Sequence, residues 1–156
     1  IPIVIFESTV YPGATELCDG QYNDCNDINY SALTAPDDEI DADNDAQVEC
    51  TNWTGDPSLS SGDCDDINST VFSGATEQCD GQYNDCSDVN YNAVAAPNNE
   101  IDDDGDGYVE CIPVSSWTDA MGGDCDDGDD DINPAGTEEC DGEDNNCDGT
   151  IDEGCD

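Results

Sequence analysis

The residues with the clearest chemical spacing are Asp102-Asp103-Asp104-Gly105-Asp106-Gly107-Tyr108-Val109-Glu110, a D-x-D-x-D-G-x-x-E run. Alternation sets Asp102, Asp104 and Asp106 around one centre. Gly107 permits a sharp turn, and the Tyr108 carbonyl can face inward. Several anionic oxygens on one Gly-rich loop form a cage for a hard cation. Ca2+ takes roughly six to eight such oxygens, whereas Mg2+ keeps its waters. Cu and Zn favour His or Cys.

Two further runs follow the same pattern. In Asp41-Ala42-Asp43-Asn44-Asp45-Ala46-Gln47-Val48-Glu49, the ligand candidates are Asp41, Asp43, Asp45, Gln47 and Glu49. Ala46 stands where the turn glycine was, and a left-handed Ala costs about 1 kcal/mol. The same site is therefore expected in a weaker form. In Asp144-Asn145-Asn146-Cys147-Asp148-Gly149-Thr150-Ile151-Asp152-Glu153, the candidates are Asp144, Asn146, Asp148, Thr150 and Asp152. Each loop opens like an EF-hand, but the EF-hand's closing Glu is absent from the Asp102 loop, where Pro113 holds that place. A carboxylate from elsewhere must close the shell. Candidates are Glu110 or Asp124, Asp126 and Asp127, matched in the earlier copy by Asp63, Asp65 and Asp66. Glu16, Asp19, Glu77, Asp80, Glu138 and Asp141 recur as well and complete the set of candidate metal ligands.

What positions these loops is an internal repeat. Cys18, Cys79 and Cys140 recur at an interval of 61 residues, as do Cys25, Cys86 and Cys147. Residues 10–70 and 71–131 align without a gap, 132–156 form a truncated third copy, and 1–9 are an apolar N-terminal segment. Gly, Pro, Asn and Asp recur every few residues, so the chain reads as turns. The expected fold is a small disulfide-rich, calcium-stabilised tandem repeat. It would consist mostly of irregular loops with a few short β-strands, at Ile3–Phe6 and around Tyr108–Cys111, and little helix. Tyr22 and Tyr83, at the first position of the altered third loop in copies one and two, read as packing residues. So do Trp53 and Trp117.

Composition sets the boundary conditions. The chain carries 42 Asp and Glu with no Lys, Arg or His, a net charge of −42. Such a chain expands by self-repulsion unless something external neutralises it. Nucleic acid and anionic membranes are repelled. Without His, Lys or Arg there is no ordinary base, nucleophile or anion clamp, so no enzyme is expected. Eleven cysteines in 156 residues indicate disulfides and an oxidising, extracellular setting. Eleven is odd. The complete sets are Cys64/Cys79/Cys86/Cys111 and Cys125/Cys140/Cys147/Cys155, which leaves one of Cys18, Cys25 and Cys50 over. No stretch reads as a signal peptide or membrane span, and a start at Ile1 fits a processed or excised product.

The run Asp124-Cys125-Asp126-Asp127…Asn133-Pro134…Glu138-Glu139-Cys140-Asp141-Gly142-Glu143-Asp144-Asn145-Asn146-Cys147-Asp148-Gly149-Thr150-Ile151-Asp152-Glu153 resembles the MopE-type metal-binding repeat of bacterial surface and secreted proteins. The acidic loops also resemble thrombospondin type 3 and dockerin calcium loops. The resemblance implies extracellular localisation and metal binding. The family name carries a copper association, to which this chain brings no His and a single Met121.

The leading expectation is a secreted, several-Ca2+ structural module serving as spacer, surface-layer or filament subunit. Ile1-Pro2-Ile3-Val4-Ile5-Phe6 is read either as an edge strand of its own repeat or as a strand that adds to a neighbouring copy, head to tail. The alternatives are a Ca2+-dependent adhesin or carbohydrate-binding module using Trp53 or Trp117, and a copper-sequestering protein. Asn29-Tyr30-Ser31, Asn52-Trp53-Thr54 and Asn68-Ser69-Thr70 fit the N-glycosylation triplet.

Overall fold

The computed structural model describes residues 9–155. The expected strand at Ile3–Phe6 lies outside the described residues. The chain divides into two compact units, Ile1–Ala75 with Asp85–Asp88, and Thr76–Asn84 with Val89–Asp156.

Each unit is organised around one two-residue parallel strand pair. In the first, β1 (Gln47–Val48) pairs with β2 (Ser60–Ser61), with Gln47 opposite Ser60. In the second, β3 (Tyr108–Val109) pairs with β4 (Met121–Gly122), with Tyr108 opposite Met121. Parallel strands need a crossover, and residues 49–59 and 110–120 supply it. The pairs are short because Gly, Asp and Asn crowd both flanks. Their anchor is a valine. Val48 and Val109 are fully buried, and each carbonyl accepts two amides beyond the second strand. Val48 takes Gly62 and Asp63 N–H, and Val109 takes Gly123 and Asp124 N–H. Among the described residues helix is confined to two 3-10 turns, Asp37–Glu39 after Pro36 and Asn98–Glu100 after Pro97. Proline suits that position, since the amide it lacks would go unbonded there.

Among the described residues the apolar core is small: Ala14, Val48, Val71, Ala75, Cys79, Val109 and Ile132. Ile28, Leu33, Val89 and Val94 point outward, each more than nine-tenths exposed. Burial on this scale holds little, and covalent bonds take its place. Cys18–Cys50 and Cys79–Cys111 close loops of the same span, as do Cys64–Cys86 and Cys125–Cys147, while Cys140–Cys155 is a shorter closure in the truncated copy. Loops of this length stabilise by about 3 kcal/mol each in the chain-entropy account. Cys64–Cys86 with Cys79–Cys111, and Cys125–Cys147 with Cys140–Cys155, stay within the two four-cysteine sets expected from the repeat. Cys25 is the cysteine left free. By the repeat's register its partner would stand at position 3, which is Ile3.

The aromatic residues pack as expected. Tyr22 meets Tyr30 edge-to-face, and Tyr83 meets Tyr91 likewise. The Trp53 indole lies over Gly20 and the Trp117 indole over Gly81. A Cβ on either glycine would sit 3.2 Å from the ring, and both have left-handed φ.

Candidate metal centres

The three acidic loops share one backbone. Their fourth positions, Asn44, Gly105 and Cys147, have φ of 68°, 88° and 54°. Their sixth positions, Ala46, Gly107 and Gly149, have φ of 73°, 94° and 92°. Ala46 thus adopts the strained conformation expected for it. The first Asp of each loop receives the sixth residue's amide: Ala46 N–H on Asp41, Gly107 N–H on Asp102 and Gly149 N–H on Asp144. The third position receives the fifth residue's amide, with Asp45 N–H on Asp43, Asp106 N–H on Asp104 and Asp148 N–H on Asn146. The fifth receives the seventh, with Gln47 N–H on Asp45, Tyr108 N–H on Asp106 and Thr150 N–H on Asp148.

Both oxygens of the first Asp accept amides in each loop, whereas the third and fifth Asp of the first two loops have only Oδ1 bonded. Asp104 Oδ2 and Asp106 Oδ2 are buried without a partner, and so are Asp43 Oδ2 and Asp45 Oδ2. The strand pair then delivers a further carboxylate. Beyond β4, Asp124 is only 6% exposed. Its Oδ1 accepts Asp126 N–H, and its Oδ2 is buried and unpaired. Asp63, beyond β2, repeats this, with Oδ1 bonded to Asp65 N–H and Oδ2 unpaired. Asp102, Asp104 and Asp106 can bring oxygens within 4.8 Å of one another, as can Asp41, Asp43 and Asp45, and as can Asp104, Asp124 and Asp127. Asp127 and Asp66 also brace the loops, accepting Asp103 and Ala42 N–H. Among the closing candidates, Asp124 and Asp127 therefore come to the loop, while Glu110 and Asp126 are exposed.

Burial raises the affinity of these carboxyls for protons. It is the largest cause at Asp45, Asp63, Asp104, Asp124 and Asp127, offset by the amide bonds, and neighbouring Asp charges push the same way. Unpaired anionic oxygens that share one buried point are costly unless a cation joins them. The donors converging there are carboxylate oxygens, so a hard divalent cation fits. Among the described residues the free Cys25 joins none of these acidic groups, and Met121 is half exposed.

The third loop keeps the scaffold with a different closure. Asn146 Nδ2 donates to Glu153 Oε1, and Glu153 Oε2 is buried and unpaired. Asp152 accepts Gly142 N–H, so it turns toward the preceding Cys-Asp-Gly segment. Glu153 was not among the candidates read from sequence, although it immediately follows Asp152.

The remaining candidates bond chiefly to backbone amides. Glu16 accepts Asn23 and Asp24 N–H, Glu77 accepts Asn84 N–H, and Glu138 accepts Asn146 and Asp152 N–H. Asp141 accepts Glu143 N–H. Asp19 and Asp80 each accept two side-chain amides on Oδ2 and bury an unpaired Oδ1. Beside them lie two carboxylates missed in the sequence, Glu39 and Glu100, each 4% exposed. Glu39 accepts Asp19 and Gly20 N–H, and Glu100 accepts Asp80 and Gly81 N–H. Their recurrence at the repeat interval was the available signal. Glu49 lines a cavity of about 390 Å³ with Glu16, Asp38 and Glu39.

Residues 6–29, 63–92 and 124–153 match the Cu-binding MopE family, whose description is "Putative metal-binding motif". These segments include Asp63, Asp124 and the whole third loop, and they leave out the Asp41 and Asp102 loops. No curated protein and no solved structure matched the chain.

Proposed function

Because the chain belongs to the MopE-type metal-binding motif family, we propose that it is an extracellular structural repeat, not an enzyme, whose loops bind Ca2+ and are stiffened by it. The observation carrying this reading is the recurring triplet of buried, unpaired oxygens: Asp43, Asp45 and Asp63 in one unit, Asp104, Asp106 and Asp124 in the other. The chain has no basic side chain to pair with them. A cation of the right size would replace the missing partner, with Gln47 and Tyr108 next in line to add their carbonyls. Asp144, Asn146, Asp148 and Glu153 would hold a third ion. Ca2+ is favoured over Mg2+ because the loops offer several oxygens each.

An extracellular setting is supported by five disulfides. Among the described residues no helix is long and apolar enough to cross a membrane. The carbohydrate-binding alternative draws less support, since Trp53 and Trp117 spend a ring face on Gly20 and Gly81. Head-to-tail assembly through residues 1–6 belongs to the proposal. Deleting them should leave a monomer by light scattering, and an unchanged assembly state would remove that part.

Native mass spectrometry and calorimetric titration with Ca2+, Mg2+ and Cu2+ test the reading. Three or more Ca2+ per chain are expected, with Ca2+ outcompeting Cu2+ at the loops. Folded protein free of divalent ions, or Cu2+ displacing Ca2+ at equal concentration, would overturn it.

A further inference from the structure

The closing carboxylate of the second loop is one residue away from a disulfide that ends inside the third loop. Asp124 carries a buried, unpaired Oδ2, and a carboxylate oxygen of Asp124 lies within 4.8 Å of one on Asp104 and one on Asp127. The next residue, Cys125, is bonded to Cys147. Cys147 is the fourth residue of the third loop, with left-handed φ of 54°, and stands between Asn146 and Asp148. Cys125 Sγ also lies 3.5 Å from the carbonyl oxygen of Asp144, the first residue of that loop. All of these residues belong to one compact unit.

We propose that Cys125–Cys147 is a cation-protected, redox-sensitive tie between the second and third metal loops. The proposal rests on the metal reading above. An occupied second loop fixes Asp124 and hence Cys125. An occupied third loop fixes the left-handed turn at Cys147. Attack by a thiolate requires access along the S–S axis and freedom for the two cysteines to separate. Each ion therefore opposes reduction, and by reciprocity the intact disulfide raises the affinity of both loops. Cys125 is exposed, so an external thiol reaches it without global unfolding. In the reduction, an external dithiol gives up two electrons and closes its own disulfide. The Cys125–Cys147 bond breaks and both sulfurs leave as thiols.

Cys64–Cys86 is the internal control. Cys64 likewise follows a closing carboxylate, Asp63, but Cys86 stands after Tyr83-Asn84-Asp85 and not in a D-x-D/N-x-D-G loop. It ties one metal loop, where Cys125–Cys147 ties two.

The test is timed reduction of the whole oxidised protein with dithiothreitol, in Ca2+ or in chelator. New thiols are alkylated and located by Glu-C peptide mapping. A ligand held at a hundred times its dissociation constant suppresses an opening that releases it by about a hundredfold. Ca2+ should slow Cys64–Cys86 by up to that factor and Cys125–Cys147 by distinctly more. Asp148→Asn should remove the extra protection at Cys125–Cys147 and leave Cys64–Cys86 unchanged. Equal protection of the two bonds, or an Asp148→Asn variant that protects Cys125–Cys147 as before, overturns the tie while leaving calcium binding intact. If calorimetry on the same samples finds no Ca2+ bound, the metal reading falls and the tie with it.

Discussion

Replacing Asp124 by Asn separates a cation ligand from a simple hydrogen-bond acceptor. The substitution keeps side-chain volume, and its carbonyl can still accept Asp126 N–H in place of Oδ1. It exchanges the unpaired Oδ2 for an amide donor. Without cation, Asp124 is repelled by Asp104, whose oxygen comes within 4.8 Å of it. At that distance two unit charges repel by roughly 1 kcal/mol under full water screening and by about 3 kcal/mol in a protein-like medium. Asp124→Asn therefore stabilises the metal-free protein. With cation the sign reverses, because removing one member of a buried, paired charge set costs about 3–5 kcal/mol. The assay is a pair of thermal melts, in excess chelator and in millimolar Ca2+. For a chain of this size, 1 kcal/mol moves Tm by about 2–4 °C. The variant should melt several degrees above the parent in chelator and at least as far below it in Ca2+. A Tm lowered equally in both conditions would refute the reasoning, since that is the behaviour of a residue that only accepts a hydrogen bond.

Ala46→Gly should relieve the left-handed strain at φ 73° and tighten Ca2+ at the first loop by roughly fivefold, read by calorimetric titration against Ala46 protein. In chelator, stability should rise as pH falls. Burial holds Asp45, Asp63 and Asp124 above their ordinary values, so the folded state takes up protons before the unfolded state does. Their favourable contribution is complete below the usual carboxylate range, about 4, and is lost as pH rises through the raised values. In Ca2+ the trend should invert, because protons displace the ion; denaturant titrations across pH 3 to 7 (about the carboxylate window) check both. Alkylation of the denatured, unreduced chain should label one thiol, on Cys25, and Cys25→Ser, a near-isosteric change at a partly exposed position, should leave Tm within about 1 °C.

Much of the candidate site's geometry was legible because the spacing of its acidic residues is local. Three alternating Asp before a turn residue fix their own geometry, and the repeat interval shows which neighbours travel with them. Closure was less legible. Choosing Asp124 over Glu110 depends on the two-residue pairing of β3 with β4 across the crossover, a register that no hydrophobic alternation announces. Glu39 and Glu100 were missed because a buried acid satisfied by backbone amides looks, in sequence, like one more surface carboxylate. The cysteine sets could be read from the repeat. The pairings within them could not, since they depend on which turns meet in space. Cys147 at a left-handed position was also invisible, because cysteine is not a residue that signals positive φ.

The crossover segments carry a consequence for engineering. Residues 51–59 and 112–120 have equal length and almost unrelated sequences. Both ends are fixed, by Cys50 or Cys111 on one side and by the valine carbonyl that clamps two amides on the other. Even the indole that covers the glycine comes from different places: Trp53 is the third residue after Cys50, Trp117 the sixth after Cys111. A stretch whose content drifts while its anchors stay put behaves like the hypervariable loop of a display scaffold. Foreign peptides grafted there should be carried on a frame held by crosslinks, and by ions where the proposed sites are filled, instead of by a hydrophobic interior.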